Sequence, residues 1–194
     1  MGLSVFSVTP AGLLFVCVLC LAAEDTLFSA LLLAAAVHEL GHLAAMAAAG
    51  YRPEQITLEW MGVSITCGLM PPGRELVTAL AGPSASFLLA AVAEGLARAG
   101  AGPFWYTAAG LSTVLGLFNL LPVWPLDGER ALRAGLLLRA EPERAFALCR
   151  ILSGALSVGL TALAAGIWAR TGIWWPAGAA LILLVRNLFL SRDR

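Results

Sequence analysis

The sequence contains no lysine, and charged residues of any kind are scarce. Only 12% of the 194 residues are charged, against about 25% in a typical soluble protein. The 12 basic residues, all of them arginine, are balanced by 12 acidic ones, so the formal net charge is zero. This balance argues against a protein that binds nucleic acid through a strongly basic surface. Four cysteines are too few for a disulfide scaffold in a chain of this length.

Apolar residues are correspondingly abundant. They make up 60% of the chain, and the mean hydropathy is +0.86. About 20 consecutive apolar residues can cross the hydrocarbon core of a bilayer as a helix. Six stretches are long enough, namely residues 5–23, 26–49, 76–97, 103–121, 145–169 and 173–190. The sequence therefore predicts a single domain, 1–194, that is an all-α polytopic membrane protein with about six transmembrane helices in the lipid bilayer.

The connection between the second and third predicted spans has a different pattern. Apolar residues occupy every second position from 56 to 60 and again from 63 to 67, on either side of Met61-Gly62. Alternation of period two, broken at a glycine, predicts a short strand or hairpin. An exposed strand edge can bind an unwound peptide through backbone hydrogen bonds. Ile56, Leu58 and Trp60 are therefore candidate substrate-binding residues.

The arginines predict the orientation of the six spans. Eight arginines fall on the side that holds both termini and the two long connections, and two fall on the other side beside Glu24 and Asp25. Because cytoplasmic loops carry an excess of basic residues, we expect both termini to lie in the cytoplasm. The eight are Arg52, Arg74, Arg130, Arg133, Arg139, Arg144, Arg192 and Arg194, and the two are Arg98 and Arg170.

The segment His38-Glu39-Leu40-Gly41-His42 is the most specific motif in the chain. Its two histidines are the only ones present, and a spacing of four places both imidazoles on one face of a helix, where they can bind one Zn²⁺. Glu39 stands between them as a candidate general base. Ionisable residues inside a membrane span are costly and are usually functional. The alternative is a pair of histidines that hydrogen-bond within a helix bundle.

Zinc held by two histidines needs a third protein ligand, which Cys, Asp or Glu can supply. Asp127 follows Pro122 and Pro125, which break the fourth predicted span and allow the chain to bend. Gly128 permits a tight turn at that point. The same residues also fit an ordinary Asp-Gly turn at the membrane surface, and Asp127 taken alone favours that interpretation.

Taken together, the motifs resemble those of the site-two protease family of intramembrane zinc metalloproteases, peptidase M50, and most of all its bacterial stage IV sporulation branch. The resemblance rests on HELGH, on Ala81-Gly82-Pro83, and on the run from Asn119 through Leu126-Asp127-Gly128. It implies that His38, His42 and Asp127 bind zinc and that Glu39 is the general base. It also implies substrates that are single-span membrane proteins or membrane-associated pro-proteins, cleaved in or near a transmembrane segment. The expected location is a bacterial cytoplasmic membrane.

The chain departs from the family pattern at three positions. Glu129 replaces a glycine that often follows the Leu-Asp-Gly motif, Met61-Gly62 replaces paired glycines, and Ser86 replaces an asparagine. Glu129 thus places a rival carboxylate close to Asp127 in sequence. We expect it to begin a helix at the membrane surface, where a carboxylate suits a helix N-terminus. We expect no PDZ or CBS domain, such as some relatives carry, within these 194 residues.

Asn119 is a polar amide in the fourth predicted span, three residues before Pro122. Its side chain can bond carbonyls that the proline frees, or it can contact the substrate, so it is also a candidate substrate-binding residue. Two other functions are compatible with the whole pattern. One is a membrane metal-ion transporter with the histidines on the ion path, and the other is a catalytically inactive membrane binding partner.

Overall fold

The computed structural model describes residues 6–10, 12–14, 17, 20, 24–59, 62–173, 178, 180–182, 184, 185 and 187. Its continuous helices are α1 (Asp25–Ala48), α2 (Pro72–Arg98), α3 (Pro103–Asn119), α4 (Asp127–Leu137) and α5 (Pro142–Thr171). Its strands are β1 (Phe6–Val8), β2 (Pro53–Glu59) and β3 (Gly62–Cys67). The chain divides into two compact units, Met1–Phe118 and Asn119–Arg194.

Three helices in the described part of the chain are long and apolar enough to cross a membrane. They are α1, α2 and α5, with 24, 27 and 30 residues. These are the helices of an integral membrane protein, and they match the second, third and fifth predicted spans. The fourth predicted span corresponds to α3, whose 17 residues extend only about 26 Å at 1.5 Å per residue. The sixth lies largely outside the described residues, so a count of six spans remains a prediction.

The beginning of the first predicted span is wrong. Phe6–Val8 forms β1, which pairs in parallel with β2, and Phe6 lies opposite Ile56. The described helical residues of this segment begin at Pro10. Uniform hydrophobicity from residue 5 onward hid the change from strand to helix, because a short apolar strand and the start of an apolar helix have the same composition.

The predicted hairpin between the second and third spans is present. β2 and β3 are antiparallel, with Ile56 opposite Ile65 and Leu58 opposite Val63. The order of the sheet is β1-β2-β3. β2 is therefore the central strand, and β3 has no described strand on its other side.

Helices α1 and α2 of the first unit pack closely because small residues lie between them. A Cβ at Gly41 of α1 would lie 2.6 Å from the Ala81 carbonyl oxygen of α2. Small residues of this kind let the backbones of membrane helices approach each other. Two residues after the end of each helix the chain has a glycine of positive φ, Gly50 at 81° and Gly100 at 86°. This conformation costs glycine less free energy than any other residue.

The second unit begins with the turn that connects α3 to α4. This turn, residues 120–126, contains two prolines, and the peptide bond between Trp124 and Pro125 is cis. A Cβ at Gly128 would lie under 3.0 Å from the carbonyl oxygens of Leu120 and Leu121. The start of α4 can therefore pack directly on the backbone of the turn only because residue 128 is glycine.

Candidate metal centre

His38 and His42 lie one turn apart on the buried face of α1, as their spacing predicts. Only 4% and 5% of their surfaces are exposed. Their Nε2 atoms are 3.3 Å apart, and the rings meet edge to face at 78°. A buried pair of imidazoles with facing Nε2 atoms offers two nitrogen ligands to one cation.

The other ring nitrogen of each histidine contacts α2. His42 Nδ1 lies 2.8 Å from the Thr78 carbonyl oxygen, which can only accept, so Nδ1 carries the proton and Nε2 carries the lone pair in the neutral ring. His38 Nδ1 lies 2.9 Å from Ser86 Oγ. Hydrogen bonds of this kind from the distal nitrogen fix the tautomer and the orientation of metal-binding histidines.

Gly82 of α2 makes room for the His42 ring. A Cβ at position 82 would lie under 3.0 Å from three atoms of the imidazole, Nε2, Cε1 and Cδ2. Gly82 is itself buried, as is Pro83 beside it. The Ala-Gly-Pro motif therefore lies against the histidine pair.

Glu39 follows His38 on α1 and is half-buried. Its position between the two histidines gives the same stretch of helix both imidazoles and a carboxylate. A carboxylate so placed can serve as a general base if a water molecule reaches it. The role of Glu39 remains a prediction.

Asp127 is the first residue of α4, in the second unit. It is 8% exposed, and its Oδ1 lies 3.7 Å from Nη1 of Arg130, a long and partly exposed ion pair. A buried carboxylate at a helix N-terminus is favoured by the helix dipole. Asp127 thus begins a helix and is buried, and it does not form the ordinary Asp-Gly turn at the membrane surface that its sequence alone favours.

Glu129 differs from its predicted environment. It does lie in the first turn of α4, but it is only 6% exposed and is not a surface residue. It lines a cavity of about 70 Å³ together with Arg133, Cys149 and Ser153. The packing of α4 on α5 buries it, which the sequence of α4 alone does not reveal.

The candidate substrate-binding residues lie in different elements of the chain. Ile56 and Leu58 lie on the central strand β2, paired on both sides, so the expected open edge is wrong for this part of the segment. β1 covers the edge that they were predicted to present. In β3, the rest of the segment to Cys67, no strand is described on the outer side. Trp60 lies outside the described residues. Asn119 is the last residue of α3, as expected for an amide just before the proline break.

Sequence reasoning missed the contacts that α2 supplies to the histidines. Thr78 acts through its backbone carbonyl, which no residue type signals. In the sequence, Ser86 stood out only because the family often has an asparagine at this position. In the structure it is completely buried and hydrogen-bonded to His38. A buried hydroxyl on the helix that follows a metal motif is the signal that could have identified it.

Comparisons with known proteins find metalloproteases that are similar to this chain. Residues 92–160 match Peptidase family M50. The chain is 32% identical over 149 residues, 69% of its length, to a zinc metalloprotease of Methanocaldococcus jannaschii, of which 44% is covered. It is 34% identical over 166 residues, 74% of its length, to Rip3 of Mycobacterium tuberculosis, named as a candidate zinc metalloprotease, of which 42% is covered. The chain thus spans less than half the length of these relatives.

The fold also has a solved counterpart. The structure of a site-2 protease from Methanocaldococcus jannaschii is similar over 100% of this chain and 94% of the other, with a TM-score of 0.71 and 24% identity. At that identity the likeness concerns the fold alone. The sequence matches show a peptidase family M50 domain match over residues 92–160 and relatives that are named as zinc metalloproteases.

Proposed function

We propose that this chain is an intramembrane zinc metalloendopeptidase that cleaves membrane-bound substrates within or near their transmembrane segments. The observation that carries the proposal is the buried pair His38 and His42, whose Nε2 atoms face each other at 3.3 Å. The Nδ1 atom of His38 contacts Ser86 Oγ, and that of His42 contacts the Thr78 carbonyl oxygen. Relatives named as zinc metalloproteases support the choice of metal.

The proposed zinc ligands are His38, His42 and Asp127. All three are buried, and each offers one atom of a type that zinc prefers. Two histidines with one carboxylate is a donor set typical of catalytic zinc, which keeps one position open. When bound, the metal supplies Lewis-acid chemistry, polarising the peptide carbonyl and making a water molecule a better nucleophile.

The remaining chemistry belongs to the protein. Glu39 accepts a proton from the attacking water at its carboxylate and returns one to the departing amine. Thr78 and Ser86 hold the rings of His42 and His38 in place through Nδ1. A substrate helix has to unwind before the attack, because its own hydrogen bonds and side chains shield each peptide bond.

The domain organisation, the location, the substrates and the substrate contacts are proposals as well. We propose that the two units act together as one protease domain with about six spans, located in a bacterial cytoplasmic membrane with both termini in the cytoplasm. Its substrates are single-span membrane proteins or membrane-associated pro-proteins. The outer edge of β3, beside which no strand is described, is the proposed site for the unwound substrate strand. Asn119 is a further candidate for contact with the substrate.

The test uses the full chain purified in detergent or reconstituted in lipid, with metal analysis and a panel of single-span proteins as substrates. We expect one zinc per chain and cleavage by the wild type. Glu39→Gln should keep its zinc and lose cleavage by about 10²–10⁴-fold, whereas His38→Ala should lose both. Wild-type cleavage by Glu39→Gln, or full zinc occupancy in His38→Ala, would overturn the assignment. Metal flux into vesicles that survives Glu39→Gln would favour a transporter.

A further inference from the structure

The backbone of the turn before Asp127 is anchored to α5. Within residues 122–126, two of the five positions are prolines and donate no hydrogen bond. The N–H groups of Val123 and Leu126 bond within the turn, to the carbonyls of Leu121 and Val123, each at 2.8 Å. The N–H of Trp124 instead donates to Ser153 Oγ of α5 at 2.9 Å. Ser153 therefore connects the turn to a long helix.

Ser153 is in turn held by a buried polar network. Asn187, one of the described helical residues of the C-terminal segment, donates one Nδ2 hydrogen to Ser153 Oγ and the other to Ser157 Oγ at 3.0 Å. Ser157 Oγ donates to the Ser153 carbonyl at 2.8 Å. Ser153, Ser157 and Asn187 are at most 3% exposed. A hydroxyl oxygen accepts two hydrogen bonds, and Trp124 with Asn187 supply both for Ser153.

Because these groups are buried, the loss of any of these hydrogen bonds is costly. A partly buried backbone N–H that has lost its acceptor destabilises the folded state. The segment around Trp124 is therefore expected to move until this N–H finds another acceptor. Trp124 lies three residues before Asp127, and between them Pro125 has a fixed φ. At the other end of the turn, Gly128 packs on the carbonyls of Leu120 and Leu121. A displacement of Trp124 is therefore transmitted to Asp127 rather than absorbed by a flexible connection.

We propose that Ser153, oriented by Asn187, is a positioning residue that holds the turn so that the Asp127 carboxylate keeps the place required for metal binding. The inference rests on the proposed function, which makes Asp127 the third zinc ligand. Neither Ser153 nor Asn187 touches the metal or the substrate in this role. Their hydrogen bonds set the position of the ligand through the backbone of Trp124.

The test measures zinc affinity of the purified full chain by competition with a chromogenic chelator, independently of cleavage. Ser153→Ala should bind zinc about tenfold more weakly, the lower end for partners that orient metal ligands. Thr171→Ala is the control, because it removes a hydroxyl of the same helix that is exposed, bonds the Ile167 carbonyl and lies outside this network. The zinc affinity of this control should stay within about twofold of wild type if the hydrogen bond to Trp124 positions Asp127. Asn187→Ala is the second variant, expected to weaken zinc binding in the same direction.

Two further measurements separate this inference from the proposed function. The electronic spectrum of the Co²⁺-substituted protein, which reports ligand geometry, should change in Ser153→Ala and not in Thr171→Ala. Asp127→Ala should weaken zinc binding, and adding Ser153→Ala to it should cause little further loss, because coupled residues are not additive. Equal zinc affinity in Ser153→Ala and Thr171→Ala would overturn the positioning role alone. Wild-type zinc affinity in Asp127→Ala would overturn the ligand assignment and this inference with it.

Discussion

Gly82 and His42 are in contact across the α1–α2 interface, and the contact requires residue 82 to have no side chain. The imidazole of His42 occupies the space where a Cβ would be, while its Nδ1 bonds the Thr78 carbonyl one turn earlier on α2. One stretch of α2 thus supplies both the space for the ring and the acceptor that orients it. α2 therefore determines the geometry of a residue that α1 provides.

Gly82→Ala is expected to displace the His42 ring and weaken zinc binding at least tenfold. The added methyl overpacks a full site, a change that costs about 1–3 kcal/mol, and turning the ring away breaks its bond to Thr78. Gly95→Ala is the control on the same helix, where a Cβ meets nothing within 4 Å. In an exposed helix position it should stabilise the protein by about 0.5–1 kcal/mol. Chelator competition and thermal unfolding measure the two effects, and unchanged zinc affinity in Gly82→Ala would contradict the expectation.

Ser86→Ala is expected to weaken zinc binding by about 10–100-fold, the usual effect of removing a partner of a metal-binding histidine. The substitution removes the hydroxyl that contacts His38 Nδ1 at 2.9 Å in a completely buried position. Ser84→Ala is the matched control, since Ser84 is exposed and bonds the Leu80 carbonyl of its own helix. Isothermal titration with zinc after metal removal checks both variants. A loss of equal size in both would mean that the effect is not local to His38.

The sequence predicts the histidine pair well because the information is local. A spacing of four residues on an apolar helix determines which face both rings share, and the structure confirms that His38 and His42 meet on a buried face. The hairpin was predicted for the same reason, since alternation is read within a dozen residues. Pro122 and Pro125 likewise predict the end of α3, because proline breaks a helix whatever the rest of the chain does.

Features that depend on distant residues could not be predicted. β1 pairs with residues about 50 positions later, and its composition is that of the helix that follows it. Glu129 is charged and stands at a helix start, so its sequence context indicates exposure, whereas packing against Cys149 and Ser153 around one cavity buries it. The contact of Trp124 with Ser153 spans 29 residues and has no local signature.

Asp127 and Glu129 are distinguished by a pair of substitutions. Asp127→Asn should lower zinc affinity and stop cleavage, because it removes the charge of the proposed third ligand. Glu129→Gln should leave zinc affinity close to wild type, because that carboxylate faces the cavity shared with Arg133 and Cys149. Removing a buried charge beside Arg133 changes thermal stability instead. Metal analysis, cleavage and unfolding are measured on the same preparations, and zinc loss in Glu129→Gln alone would reassign the ligand.

The outer edge of β3, beside which no strand is described, gives the sharpest test of how a substrate would bind. Successive N–H groups of a strand in an antiparallel pair point alternately toward and away from the partner strand, and Ser64 and Ile65 are neighbours opposite Thr57 and Ile56 of β2. One of Ser64→Pro and Ile65→Pro therefore breaks the ladder to β2 and destabilises the sheet. The other removes only an outward donor, which an edge strand tolerates.

The tolerated proline variant should keep its fold and its zinc yet cleave at least about tenfold more slowly, because a strand added to β3 needs that donor. Alanine at the same position is its control, since it shortens the side chain and keeps the N–H. Thermal unfolding identifies which proline variant is tolerated, and metal analysis shows that the histidine pair is intact. If that variant cleaves a single-span substrate as fast as its alanine control, the substrate does not bind by extending β3.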